Sequence, residues 1–133
     1  MRQYIKHIIL LLAVLSCTCA HAQNEGYDVF VPISKYIVQA DSESLSAWFA
    51  DNLEISVLSG ETNASRTQAR LIVKTFFETY TPKSFEITHT AGRANLKYVL
   101  GYLNAGGETF LVTIFVTVKG EQHRIQQFKI ERT

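Results

Sequence analysis

The C-terminal part of the chain, from Ser84 to Thr133, constrains the fold more than any other stretch. Apolar and polar residues alternate along it, which is typical of β-strands that bury one face. Glycine-containing turns at Asn104–Gly107 and Lys119-Gly120 are typical of hairpins. The pattern predicts four consecutive antiparallel strands, at Ser84–Ala91, Ala94–Asn104, Thr109–Lys119 and Gln122–Arg132.

The two faces of this predicted sheet differ in composition. In Thr109–Lys119, one face carries apolar residues throughout, whereas the other alternates threonine with Leu111 and Phe115. We expect the first face to pack against helices. The second has too much apolar surface for comfortable exposure, which predicts a homodimer through the sheet; partial cover by the N-terminal segment is the alternative. The residues predicted to form this dimer face are Val99, Leu103, Leu111 and Phe115.

The last predicted strand changes parity part-way along. Phe128 and Ile130 share one face, and Ile125 falls on the opposite one if the strand is regular. A β-bulge near Gln126-Gln127 reconciles the two halves, because one extra residue restores a common apolar face.

The N-terminus has the three-part layout of a secretory signal. Arg2 and Lys6 precede the apolar run Ile8–Leu15, which is too short to span a bilayer, and small residues follow. We therefore predict a signal peptide at residues 1–22, cleaved between Ala22 and Gln23. The expected location is the periplasm or the extracellular medium, and no segment is predicted to be a transmembrane helix.

The leader also contains both cysteines of the chain, Cys17 and Cys19. The tetrapeptide that ends in Cys17 is an imperfect lipobox, so the alternative is a lipoprotein anchored at Cys17. In the signal-peptide interpretation both cysteines leave with the leader, as do His7 and His21. No metal site and no cofactor are then predicted.

The composition of the remainder indicates one globular domain, residues 23–133. The 133-residue chain is 47% hydrophobic and 19% charged, which excludes a disordered protein. Without Arg2 and Lys6, 11 basic residues stand against 12 acidic ones, a net charge of −1. A near-neutral domain lacks the basic surface that nucleic acids need, so no nucleic-acid partner is predicted.

The segment before the sheet is predicted to be mainly helical. The spacing of Ser65 and Gln68 is that of a capping box at the start of a helix, and Thr81-Pro82 is expected to end that helix. In chain order the pattern predicts a helix over Val29–Ala40, a short helix with Leu45, Trp48 and Phe49 on its apolar face, a strand over Leu53–Leu58, a turn over Ser59–Asn63 and a third helix with apolar positions from Ala69 to Tyr80.

Several local patterns, and the order α-α-β-α-β-β-β-β, resemble the nuclear transport factor 2-like superfamily. The residues that carry the resemblance are Phe30–Ser34, Ala69–Phe77, Pro82, Phe85–His89, the strand around Gly101 and Ile125–Ile130. The resemblance covers nearly all of Tyr27–Thr133. Within the superfamily, the chain most resembles a group of small secreted bacterial domains with no assigned function. It implies a cystatin-like α+β cone, in which a curved antiparallel sheet wraps a long third helix and leaves a pocket between them.

The catalytic residues of the superfamily do not carry over with the fold. Ketosteroid isomerase, one of its members, uses an Asp base and a protonated Asp beside a Tyr. The aspartates of this chain, Asp28, Asp41 and Asp51, all precede the sheet. Whether the protein is an enzyme is left open; the lack of a carboxylate base on the predicted sheet favours a protein that is not an enzyme.

The remaining candidate in the implied pocket is His89. It shares parity with Phe85 and Ile87, so we expect it to point into the cone, where it is either a general base or a half-buried structural histidine. Glu86 has the opposite parity and cannot orient it. The residues predicted to line the pocket are Tyr36, Trp48, His89, Tyr98 and Tyr102.

These observations leave three functional hypotheses. The first is a non-catalytic module that binds a small apolar ligand or an envelope protein. The second is an enzyme of the isomerase or hydrolase type that uses His89 and a pocket tyrosine. The third is a structural dimerisation domain, which is favoured if the cone is filled by Phe76, Phe77 and Phe110.

Overall fold

A computed structural model of the protein describes residues 28–58 and 60–133, which form two short helices, one long helix and one sheet. The predictions for Cys17, Ala22 and Gln23 lie outside this range. The elements are α1 (Phe30–Val38), α2 (Ser42–Ser46), β1 (Phe49–Val57), β2 (Gly60–Ser65), α3 (Arg66–Thr79), β3 (Pro82–Arg93), β4 (Leu96–Ala105), β5 (Glu108–Lys119) and β6 (Gln122–Arg132).

The six strands form a single sheet in the order β2-β1-β6-β5-β4-β3. Each neighbouring pair is antiparallel except β1 and β6, which run parallel. The four C-terminal strands lie where the alternation predicts them. Among the described residues, no helix is long and apolar enough to cross a membrane.

Two local predictions in the N-terminal half are wrong. Most of the predicted turn, from Gly60 onward, belongs to strand β2, which pairs with β1 at the edge of the sheet. Only Ala64 of this strand is buried, so the sequence contains no alternation to reveal it. The second helix ends at Ser46, and Phe49 is instead the first residue of β1. Asp41 caps that helix by accepting a hydrogen bond from the Ser44 N–H at 3.0 Å.

Helix α3 begins with the predicted capping box. The Ser65 hydroxyl accepts from the Gln68 N–H at 3.2 Å, and the Gln68 side-chain oxygen accepts from the Ser65 N–H at 3.1 Å. The two bonds satisfy backbone donors that otherwise lack a partner in the first turn. The cap therefore fixes where the helix starts, and with it the face that α3 turns toward the sheet.

Replacing Ser65 with alanine is expected to lower the free energy of unfolding by about 1 kcal/mol, because it removes the oxygen that caps α3. Thr67→Ala, two residues on and exposed, is the matched control and is expected to change stability by less than about 0.5 kcal/mol. Urea unfolding followed by circular dichroism measures both. Equal losses in the two variants would contradict the capping role.

The inner face of the sheet and the buried side of α3 form one packed core rather than a hollow cone. The Phe110 ring lies 5.2 Å from Phe76 and 5.1 Å from Tyr80, measured between centroids, and Phe77 lies 6.0 Å from Phe76. Deeper along the sheet, Phe49 and Phe128 pack at 6.1 Å. Aromatic side chains thus occupy much of the space between α3 and the middle of the sheet.

Two bulges decide which residues face the core. In β6 the register shifts between Ile125 and Gln127, as predicted, so Ile125, Phe128 and Ile130 are all buried. In β3 the register shifts between Ile87 and His89, a bulge that the sequence analysis did not predict. The strand beyond Ile87 therefore presents its side chains with reversed parity.

Candidate functional site

The outer face of the sheet, which points away from the helices, carries a cluster of large apolar and aromatic side chains. Within this cluster the Tyr98 and Phe115 rings pack against each other, with their centroids 4.6 Å apart. The hydroxyl-bearing Tyr102 is 47% exposed, and the others are half-buried in the single chain. We call this cluster the outer patch; its members are Leu96, Tyr98, Leu100, Tyr102, Leu111 and Phe115.

The residues predicted for the dimer face divide between the two sides of the sheet. Leu111 and Phe115 lie on the outer face, as predicted. Val99 and Leu103 are fully buried in the core, where they pair with Ile114 and Phe110, so their predicted placement is wrong. Strand β4 is apolar at both parities, and the assignment of its faces from sequence was therefore ambiguous.

Three of the predicted pocket residues also lie on the outer face. Tyr98 and Tyr102 stand opposite Phe115 and Leu111, so neither points into the cone. His89 stands opposite Leu100 rather than Gly101, because the β3 bulge turns it away from the core. The prediction that His89 shares a face with Phe85 and Ile87 is wrong for this reason.

The bulge changes the surroundings of His89 as well as its direction. The ring is exposed, and within the described residues its Nδ1 atom has one hydrogen-bond partner, the Thr88 hydroxyl at 3.1 Å. Glu86 stands opposite Tyr102 and so shares the outer face with His89, contrary to the prediction. The site is an open surface on which a histidine, a glutamate and two tyrosines are displayed.

The two candidates that were predicted to lie on helices are found elsewhere. Tyr36 and Trp48 are partly buried and pack against the hydrophobic core. Trp48 also lines a depression of about 360 Å³ together with Val29, Pro32 and His123. The five predicted pocket residues are therefore not brought together: three lie on the outer face and two lie beside the helices.

Comparison with known proteins now identifies the family. Residues 30–131 match the family described as "Domain of unknown function (DUF4783)". The chain belongs to this family. No curated protein matches the sequence.

Three solved structures illustrate the fold of this DUF4783 domain. A DUF4783 family protein from Bacteroides uniformis is 22% identical, with a TM-score of 0.71 over 76% of this chain and 94% of that one. A cystatin-like domain of unknown function from Nostoc punctiforme is 12% identical, with a TM-score of 0.65 over 86% and 79%. An NTF2-like protein of unknown function from Cytophaga hutchinsonii is 8% identical, with a TM-score of 0.59 over 80% and 88%. The predicted NTF2-like, cystatin-like α+β fold is thereby confirmed.

An apolar groove runs between α3 and the end of β1 in the DUF4783 domain, and none of its lining residues was among those predicted for the pocket. It has a volume of about 520 Å³, and its lining residues are Val57, Leu58, Leu71, Ile72, Thr75, Phe76, Thr79 and Tyr80. The hydroxyls of Thr75 and Thr79 donate to carbonyls one turn earlier, so they are already satisfied. One signal in the sequence is Leu71, a leucine outside the buried stripe of α3 that is 52% exposed.

Charged side chains surround the outer patch unevenly. Arg93 stands opposite Leu96 at one end of β3, and Glu86 stands opposite Tyr102 toward the other end. Near the opposite edge of the sheet, on β1, the pKa of the Glu54 carboxyl is raised above its usual value. The largest cause is a hydrogen bond shared with Glu61, and the next is desolvation. The DUF4783 domain thus presents an apolar centre with charges of opposite sign at the two ends of β3.

Proposed function

We propose that this domain is a non-catalytic protein-binding module that associates with a second copy of itself through the outer face of its sheet. One observation carries the proposal: the inner face of the sheet is buried in the hydrophobic core, whereas none of the described residues covers the outer patch. Contiguous apolar surface of this kind is typical of interaction sites. Tyrosine often dominates the energy of an interface and phenylalanine is enriched at interfaces, and the patch presents one of each, Tyr98 and Phe115.

The charges at the ends of β3 make the outer face complementary to itself. Two copies can stack with their outer faces together, related by a two-fold axis that lies between the sheets and runs perpendicular to the strands. The strands of the second copy then run in the opposite direction to those of the first. Arg93 of one copy then approaches Glu86 of the other, and the symmetry repeats the pair. Isologous contacts of this kind are the rule for homodimers, and opposite charges at the rim favour one register over others.

The same axis passes near the middle of the outer patch. Tyr98 and Phe115 occupy paired positions on β4 and β5, and the single pair Val99–Ile114 separates them from Leu100 and Thr113. A stable interface needs about 800 Å² from each partner, which a patch spanning two long strands is suited to supply. The aromatic pair would lie at the centre of the contact, where truncation costs most.

The other hypotheses receive less support from the geometry. His89 is exposed and bonded to Thr88. Tyr98 lines an open depression of about 500 Å³ beside Leu96 and Phe115, and His89 is not among the residues that line it. A small apolar ligand stays a prediction, for which the groove along α3 and the depression beside Tyr98 are both candidates. Export through residues 1–22 also stays a prediction, and dimerisation through the sheet does not depend on it.

Charge reversal at the two ends of β3 tests the proposed register. Glu86→Arg and Arg93→Glu are each expected to weaken the dimer about tenfold, because each brings like charges together. The double variant restores opposite signs and is expected to recover most of the wild-type affinity. Sedimentation equilibrium measures the three constants. Weakening in the double variant equal to the sum of the single effects would contradict this register.

A further inference from the structure

A polar cleft opens beside the outer patch, where strands β1 and β6 separate. Phe49 pairs with Ile125 and Glu54 with Gln127, so β1 advances by five residues while β6 advances by two. The surplus residues of β1 move away from β6 and leave a cleft of about 330 Å³. Bulges that open a sheet in this way are enriched next to functional sites.

Basic side chains outnumber acidic ones in the lining of the cleft. Arg66, Lys119 and Arg124 line it, against a single carboxylate, Asp51. The Asp51 side chain is 90% exposed, so its ion pair with Arg66 is strongly screened by water. Arg66 is also the first residue of α3, where the helix dipole contributes further positive potential.

The two guanidinium groups are held in place by bonds to the backbone. Arg66 donates from Nε to the Phe49 carbonyl at 3.1 Å and from Nη2 to Asp51 at 3.0 Å. Arg124 donates from Nη1 to the Ala47 carbonyl at 3.3 Å. A guanidinium has five N–H donors, so both groups keep further donors while their orientation is fixed. Prior orientation reduces the entropy lost when a ligand binds.

Neutral donors complete the cleft. The Gln126 amide donates to the Thr117 hydroxyl at 3.1 Å, and Gln122 lies at the rim. A group that accepts several hydrogen bonds and carries negative charge matches this set. Planar carboxylates and tetrahedral phosphates both have that chemistry, and arginine binds either in a bidentate manner.

We propose that this cleft binds the oxyanion group of a small carboxylate- or phosphate-bearing ligand. The site does not include any residue of the outer patch: Arg66 comes from the start of α3, Arg124 from β6 and Lys119 from the last position of β5, four residues beyond Phe115. The two proposals can therefore fail independently.

Titration with inorganic phosphate and with succinate, at constant ionic strength, tests the proposal. In nitrogen–proton correlation spectra of the purified protein, we expect saturable shifts confined to the Arg66 Nε–H and to backbone amides of residues 49–51 and 117–126. Saturation by phosphate alone, by succinate alone or by both supports an oxyanion site and identifies the preferred geometry. Linear, unsaturated shifts spread over the surface with both anions would overturn it.

Variants separate a specific site from general electrostatics. Arg66→Gln and Lys119→Gln are each expected to raise the dissociation constant about tenfold, because each removes a charge-assisted hydrogen bond. Lys119 is exposed at a hairpin, so its variant is informative even if Arg66→Gln folds poorly. Lys83→Gln, at the opposite edge of the sheet, removes the same charge and is expected to leave binding unchanged. Equal weakening in Lys83→Gln and Lys119→Gln would overturn the proposal.

Discussion

Replacing Phe115 with glutamate is expected to convert the proposed dimer into a monomer. The Phe115 ring packs on Tyr98 at 4.6 Å and is only half-buried in the single chain, so the remainder of its surface is available to a second copy. Losing a central aromatic anchor costs about 2 kcal/mol or more. An unpaired buried charge adds a further penalty, and the dissociation constant should rise by at least about 100-fold. Sedimentation equilibrium at several concentrations measures this change.

Thr109→Glu provides the matched control for that experiment. Thr109 lies on the same strand and the same face as Phe115 but is exposed near the end of β5, opposite Asn104. The control introduces the same charge outside the outer patch and is expected to leave the association constant unchanged. A Phe115→Glu protein that keeps the wild-type circular dichroism spectrum and still forms the wild-type dimer would contradict the proposed interface.

Replacing Phe110 with alanine is expected to have the largest effect on stability. Phe110 is fully buried, and its ring is 5.2 Å from Phe76 and 5.1 Å from Tyr80. Removing a buried phenyl ring from a packed core costs about 3–5 kcal/mol, because the loss of transfer free energy is compounded by a cavity. Urea unfolding of the protein, monitored by circular dichroism at a concentration at which sedimentation gives the mass of the monomer, measures the loss.

Phe115→Ala is the natural comparison, because it removes the same ring from the opposite face of the same strand. In the monomer it should cost less than about half as much as Phe110→Ala, since a half-buried ring loses less area from water. The two variants should also differ in association, which only Phe115→Ala weakens directly. A Phe110→Ala loss below about 1 kcal/mol would show that the interior tolerates a cavity and that the cone is not a packed core.

The strands could be predicted from the sequence wherever one parity is apolar and the other is not. In β5, Phe110 and its neighbours two apart are buried, and Leu111 and Phe115 face outward, as the alternation indicates. In β4 both parities are apolar, so the assignment of Val99 and Leu103 had no physical basis and proved wrong. Burial of one face is what specifies register, and a strand that is apolar at both parities does not reveal which face that is.

The bulges in β3 and β6 likewise show that register can be predicted only where buried apolar residues mark it. The β6 bulge was visible in the sequence because Ile125 and Phe128 are both apolar and fall on opposite parities of a regular strand. The β3 bulge lies where apolar side chains end: after Ile87 the strand continues with Thr88, His89 and Thr90. With no buried residue beyond it, the shift left no trace, and the predicted position of His89 was wrong as a result.

The cationic cleft was invisible for a topological reason. Its residues come from β1, α3, β5 and β6, and they meet only because β1 runs parallel to β6 and then separates from it. Nothing in the spacing of Arg66, Lys119 and Arg124 along the chain indicates that they converge. Sites formed by irregular pairing between distant strands require the structure.

The most direct test of the central claim, that the outer face of the sheet binds a second copy, is an isotope-filtered nuclear Overhauser experiment. A sample that mixes carbon-13-labelled and unlabelled protein reports only contacts between the two copies. We expect intermolecular contacts from the rings of Tyr98 and Phe115 to Leu100 and Thr113 of the other copy. Intermolecular contacts from the α3 groove instead, or none from the outer patch at concentrations up to about 1 mM, would contradict it.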